Sequence, residues 1–105
     1  MAWFTTGAQT NPVINAIIAD TGALADGGTS NVTMVVSSTV ACAVVLEQRD
    51  AANTANINSH IFPIAANTPL MVSFPAVSFA PSERFRARLN AAVTGQVQAS
   101  IFAFP

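Results

Sequence analysis

Apolar and polar residues alternate with a period of two along much of this chain, a spacing that predicts β-strands. The pattern is clearest in the last third. In Glu83-Arg84-Phe85-Arg86-Ala87-Arg88-Leu89 the arginines alternate with Phe85, Ala87 and Leu89. After Asn90–Gly95, the run Gln96-Val97-Gln98-Ala99-Ser100-Ile101 alternates again. Val97, Ala99 and Ile101 are expected inward, with Gln96, Gln98 and Ser100 outward, as in a sheet packed on one side. The two runs read as a hairpin or as near neighbours.

Further strands are expected upstream. Val32–Val36 is largely β-branched and is bounded by Gly27-Gly28 and Ser37-Ser38. Ala41–Gln48 follows closely, so the two are expected to pair around Ser37–Thr39. His60–Ile64 and Leu70–Phe74 flank the turn-like Ala65–Pro69. Pro63 cannot donate to a ladder and marks an outer edge. Val13–Ala19 fits either an apolar strand broken at Asn15 or a short helical stripe; its three isoleucines favour the strand.

Short strands separated by turn residues predict an all-β protein: an antiparallel β-sandwich, for which a jelly roll is one construction. Residues 1–12 are expected to form an extended N-terminal arm and residues 13–105 the sandwich domain. A chain of 105 residues supports one domain of this kind.

Composition changes the picture. Only 9% of the residues are charged, against about 25% in an ordinary soluble domain. Lysine is absent, and the cations are Arg49, Arg84, Arg86 and Arg88. Such a surface suits burial against neighbours, since obligate interfaces are depleted in charge. A monomer with a neutral, Asn/Thr-rich exterior is the other reading. The net charge of −1 gives no basic surface for a phosphate backbone, so nucleic acid is not an expected partner. No apolar run is long enough for a membrane helix, and the start lacks the features of a signal peptide. A soluble protein made in a cytoplasm is expected.

Candidate chemistry is sparse. One histidine, His60, one cysteine, Cys42, and five carboxylates fall short of a recognisable triad or zinc set. Asp20–Asp26 lacks the ligand spacing of a calcium loop. No metal, cofactor or enzymatic activity is therefore expected. Cys42 reads as a small buried hydrophobe and His60 as a packing residue. The arginine row is the constellation with most functional weight. Its guanidiniums would be paired by cross-strand carboxylates, Glu47 or Asp50, or would dock an acidic patch on a partner. A sugar-binding face ranks third, because the chain has one Trp and no Tyr for stacking. The aromatic groups Trp3, Phe4, Phe102 and Phe104 near the termini are expected to dock on this domain or on a neighbour.

Two segments carry a resemblance. Val45-Leu46-Glu47-Gln48-Arg49-Asp50-Ala51-Ala52-Asn53-Thr54-Ala55-Asn56, taken with Glu83–Ile101, resembles small virion proteins of tailed bacteriophages of the head decoration (cement) type. The likeness covers about residues 40–102 and leaves residues 1–12 outside. It implies a structural virion protein: a β-sandwich that forms a homotrimer and cements a capsid, with the major capsid protein as partner. Trp3, Phe4, Arg84, Arg86, Arg88, Phe102 and Phe104 are the expected interface residues. The alternative is a receptor- or glycan-binding module of a phage tail or fibre.

Overall fold

The computed structural model describes residues 2–5 and 7–103, with backbone only for Ala2, Trp3 and Thr5. These residues form nine strands: β1 (Ala2–Thr5), β2 (Gln9–Thr10), β3 (Ile17–Asp20), β4 (Gly28–Ser38), β5 (Cys42–Arg49), β6 (Asn56–Ile64), β7 (Leu70–Phe79), β8 (Arg84–Leu89) and β9 (Gln96–Ala103). All pairings are antiparallel.

Two sheets result. Sheet A has the order β1-β9-β4-β7, with β2 also on β9; sheet B has the order β3-β8-β5-β6. After β2 the chain changes sheet at each connection except β5 to β6. That alternation is the winding of a jelly roll, so the expected sandwich is present with this topology.

The core is what period two dictates. Sheet A contributes Val32, Met34, Val36, Phe79, Val97, Ala99 and Ile101; sheet B contributes Ile18, Val44, Leu46, Ile64, Phe85, Ala87 and Leu89. Phe79 and Phe85 meet edge-on across the sandwich, with ring centroids 5.7 Å apart, a geometry that aligns ring edge with ring face.

Two pairings expected from the sequence are corrected. β4 and β5 do not pair around Ser37–Thr39, because the chain there crosses from sheet A to sheet B. β8 and β9 likewise lie in facing sheets rather than in a hairpin. Alternation fixes which face of a strand is buried, and both arrangements bury the same face. In Val13–Ala19 only Ile17 onward is strand; Asn15, at φ 63°, breaks it. The N-terminal segment is extended, and its described strands run along β9 of sheet A. Ala2–Thr5 pair with Ser100–Ala103, and Gln9 and Thr10 pair with Val97 and Gln96.

The sandwich gapes on one side. β6 and β7 are the edges of their sheets there, and their core-facing positions Asn58 and His60 are exposed while Phe62, Val72, Phe74 and Val77 are only half-buried. Pro63 lies on β6, where an edge tolerates it. Pro75 lies on β7 beside a bulge opposite Ser30–Val32.

Candidate functional site

The outer face of sheet B holds the predicted arginine row. β8 runs between β3 and β5, so Arg84, Arg86 and Arg88 stand in the middle of that face. Glu47 lies opposite Arg86 on β5 and is only 1% exposed. It accepts hydrogen bonds from Arg86 Nε at 2.7 Å, Arg88 Nε at 3.0 Å and Asn56 Nδ2 at 2.7 Å. Burial pushes its carboxyl pKa up, but the bonds from Arg86, Asn56 and Arg88 outweigh that and leave it below its ordinary value. Arg84 reaches Asp20 at 3.5 Å, and Arg88 also donates to Asn15 Oδ1. The sequence pointed to Glu47 as a partner. Asp50 is not one, because its carboxylate accepts from the backbone and hydroxyl of Thr54. Asp20 was not foreseen, since nothing local signals that β3 pairs with β8.

Sheet A is chemically different. None of its five strands contains an ionisable side chain. Its outer face presents Thr33 and Ser37 from β4, Ser73 from β7, and Gln96, Gln98, Ser100 and the half-buried Phe102 from β9. At one end a groove of 220 Å³ is lined by Ala8, Ser37, Thr39, Asn67, Pro69, Gln96 and Gln98, among others. Its walls are tied together: Thr39 N donates to Gln96 O, Gln96 N to Thr39 Oγ1, and Asn67 N to Ser38 O. The hydroxyl of Ser37 and the side-chain amides of Asn67 and Gln98 have no hydrogen-bond partner among the described residues. Each amide offers both donors and an acceptor, a set suited to vicinal hydroxyls.

A third feature is the cleft on the gaping side, 80 Å³ in volume. His60 stacks on Phe74 there, and Phe62 lies 6.1 Å from Phe74. Gln48 closes one end, donating to Ser78 O and Glu83 Oε1 and accepting from Asn58. This matches the packing role expected of His60.

The other predicted interface residues are dispersed. Phe4 is half-buried on β1, opposite Ile101, and Phe102 is on the outer face of sheet A. The Trp3 side chain and Phe104 lie outside the described residues. Among the described residues no three His, Cys, Asp or Glu side chains come together as metal ligands would, and no helix is long and apolar enough to cross a membrane.

No protein-family model matches the chain, and no curated protein matches it. Solved structures do. A carbohydrate-binding module CBM36, in complex with calcium and xylotriose, is 13% identical and superposes with a TM-score of 0.54 over 99% of this chain and 93% of its own. Module CBM6cm-2 of Cellvibrio mixtus lichenase 5A, in complex with cellotriose, gives 13%, 0.51, 97% and 83%. A CBM4 structure is 8% identical with a TM-score of 0.58; this chain is covered over 83% but spans only 59% of that one. At such identities the likeness is one of fold: the chain shares the β-sandwich of carbohydrate-binding modules.

Proposed function

We propose that this protein is a non-catalytic binding module for neutral oligosaccharides, with its site in the groove at the end of sheet A. The observation that carries the reading is the set of unpartnered neutral groups there, Ser37, Asn67 and Gln98, on a sheet with no charged strand residue. A neutral sugar offers hydroxyls to such groups and has no charge for an ion pair to hold. The ring of Pro69 adds an apolar surface to the groove lining. Structural neighbours that were solved with xylotriose and cellotriose support the same reading.

The test is calorimetric titration of the purified chain with xylo- and cello-oligosaccharides. Saturable binding is expected, and Gln98→Ala or Asn67→Ala should weaken it about tenfold by removing one or two hydrogen bonds. Absence of binding to every neutral oligosaccharide at millimolar concentration would reject the proposal.

A second reading, a capsid-cementing trimer, is favoured by a different observation. Val13, Ile14, Ile57, Ile61 and Met71 are exposed large apolar residues, with Met71 70% accessible. A domain with so few charges and such side chains on its surface gains by lying against other proteins. Light scattering decides: a trimer favours this reading, and a monomer at micromolar concentration removes it.

A further inference from the structure

We infer that the outer face of sheet B is a second binding face, built to dock a different protein that presents carboxylates at alternate positions of an extended segment beside apolar side chains. The inference goes beyond sugar binding, which is proposed for the other sheet.

Charge comes first. Arg49, Arg84, Arg86 and Arg88 share this face with two carboxylates, Asp20 and Glu47, and Asp50, next in the chain to Arg49, interacts with its charge, so the cations are in excess by one. The nearby Asp50 is turned onto Thr54, and Glu83 is engaged by Gln48 and the Ala80 N–H. Arg49 lies directly opposite Arg84, a like-charge pair whose repulsion is partly offset by Asp20, 3.5 Å from Arg84, and by the charge of Asp50 near Arg49. Arg49 spends its hydrogen bonds on neutral groups, the Asn53 amide and carbonyl and the Asn56 amide.

Preorganisation comes next. Glu47 grips Arg86 and Arg88 through Nε. Arg86 has no further hydrogen-bond partner among the described residues. None of its nitrogens is both buried and unpartnered, so its terminal amino groups reach solvent. A nearly inaccessible carboxylate thus holds Arg86, 17% exposed, with its terminal amino groups left to another acceptor at little entropic cost on binding. Arg88 is held by both Glu47 and Asn15.

Spacing and surroundings select the partner. Arg84, Arg86 and Arg88 follow one another at two-residue intervals, about 6.7 Å apart along the strand. Carboxylates at alternate positions of an extended chain repeat with the same pitch. Two strands away on the same face, Ile61 and Pro63 of β6 are exposed. Such an apolar strip fits a protein better than a polyanionic sugar. A second copy of this chain is a poor occupant. Its like face would set guanidinium against guanidinium, and its remaining carboxylates, Asp26, Asp50 and Glu83, lie in separate loops.

The experiment uses the intact chain and a fluorescent peptide with glutamate at alternate positions and valine or threonine between. A glutamine-for-glutamate peptide and an oligoglucuronate serve as comparison probes. The expected result is anisotropy-detected binding of the glutamate peptide at low salt, lost near 1 M salt, where the screening length falls to about 3 Å. Arg84→Gln, which leaves Glu47 paired, should weaken it about tenfold, and Ile61→Ser should weaken it further. Neutral-sugar binding by the same two variants should be unchanged, so this inference and the proposed function fail separately. Equal binding of the glutamine peptide, oligoglucuronate binding as tight as the peptide, or indifference to both substitutions would overturn the inference.

Discussion

His60 stacks on Phe74 with ring centroids 5.0 Å apart and planes 26° apart, although β6 and β7 belong to different sheets. No backbone ladder joins these two edges, so the contact is a side-chain clasp across the open side of the sandwich. Phe62 extends it.

Phe74→Ala should therefore destabilise the domain by about 2 kcal/mol, below the range for a fully buried Phe because this ring is half-exposed. His60→Ala should cost less, about 0.5–1 kcal/mol, the value of an aromatic pair. Urea unfolding of both variants measures the difference. A larger loss for His60→Ala would mean that the imidazole does more than stack.

Glu47 links stability to acid. Its folded pKa is held below its unfolded value, so its contribution is complete above the ordinary carboxylate range and is lost as pH falls through the lowered value. Wild-type stability should decline below about pH 4.5, with a shallower decline in Glu47→Gln. Glu47→Ala, which strands Arg86 and Arg88, should cost about 2–3 kcal/mol at pH 7, below the fully buried case because both arginines are partly exposed. Chemical denaturation across pH 3–7 checks both; parallel curves for wild type and Glu47→Gln would show that another group governs the acid limb.

The sequence announced faces better than partners. The alternation in Arg84–Leu89 and Gln96–Ile101 marked the buried side of each strand correctly. It could not say that β8 and β9 sit in opposite sheets, because a hairpin and a cross-sandwich connection impose the same period. Glu47 was legible as a counter-charge, since three arginines on one strand face need cross-strand carboxylates, though Asp50 was an equal candidate and pairs with none of the row. Asp20 was not, because β3 and β8 are more than 60 residues apart in the chain. The uncharged character of sheet A became visible only once β4, β7 and β9 were known to be neighbours. The groove residues Ser37, Asn67 and Gln98 carry no motif and come together solely through that pairing.

Gly27 is a steric test of the strand entry to β4. A Cβ there would sit 2.8 Å from Pro81 Cδ and 2.9 Å from the Phe79 carbonyl oxygen. Neither a proline ring nor backbone yields easily, so Gly27→Ala should cost about 1–3 kcal/mol. Calorimetry should show Tm falling by at least about 5 °C; an unchanged Tm would mean that the Pro81 loop relaxes freely.

Gly95 adjoins the groove on sheet A. Its φ is 151°, and a Cβ would meet Thr39 Oγ1 at 2.6 Å, the atom that accepts from Gln96 N. Gly95→Ala should therefore impair oligosaccharide binding, whereas Gly27→Ala should spare it at temperatures where both remain folded. Titration of the two variants side by side makes the comparison, and equal loss in both would point to general loosening.

Every rim of the two sheets is interrupted or short. β1, β2 and β3 have at most four residues, β3 carries a register shift, β6 contains Pro63, and β7 contains Pro75. A polypeptide this poor in ionic repulsion would otherwise be prone to zip into fibrils. These blunt margins deny incoming chains a long template, so the protein should tolerate the crowding of many copies packed side by side without converting to amyloid.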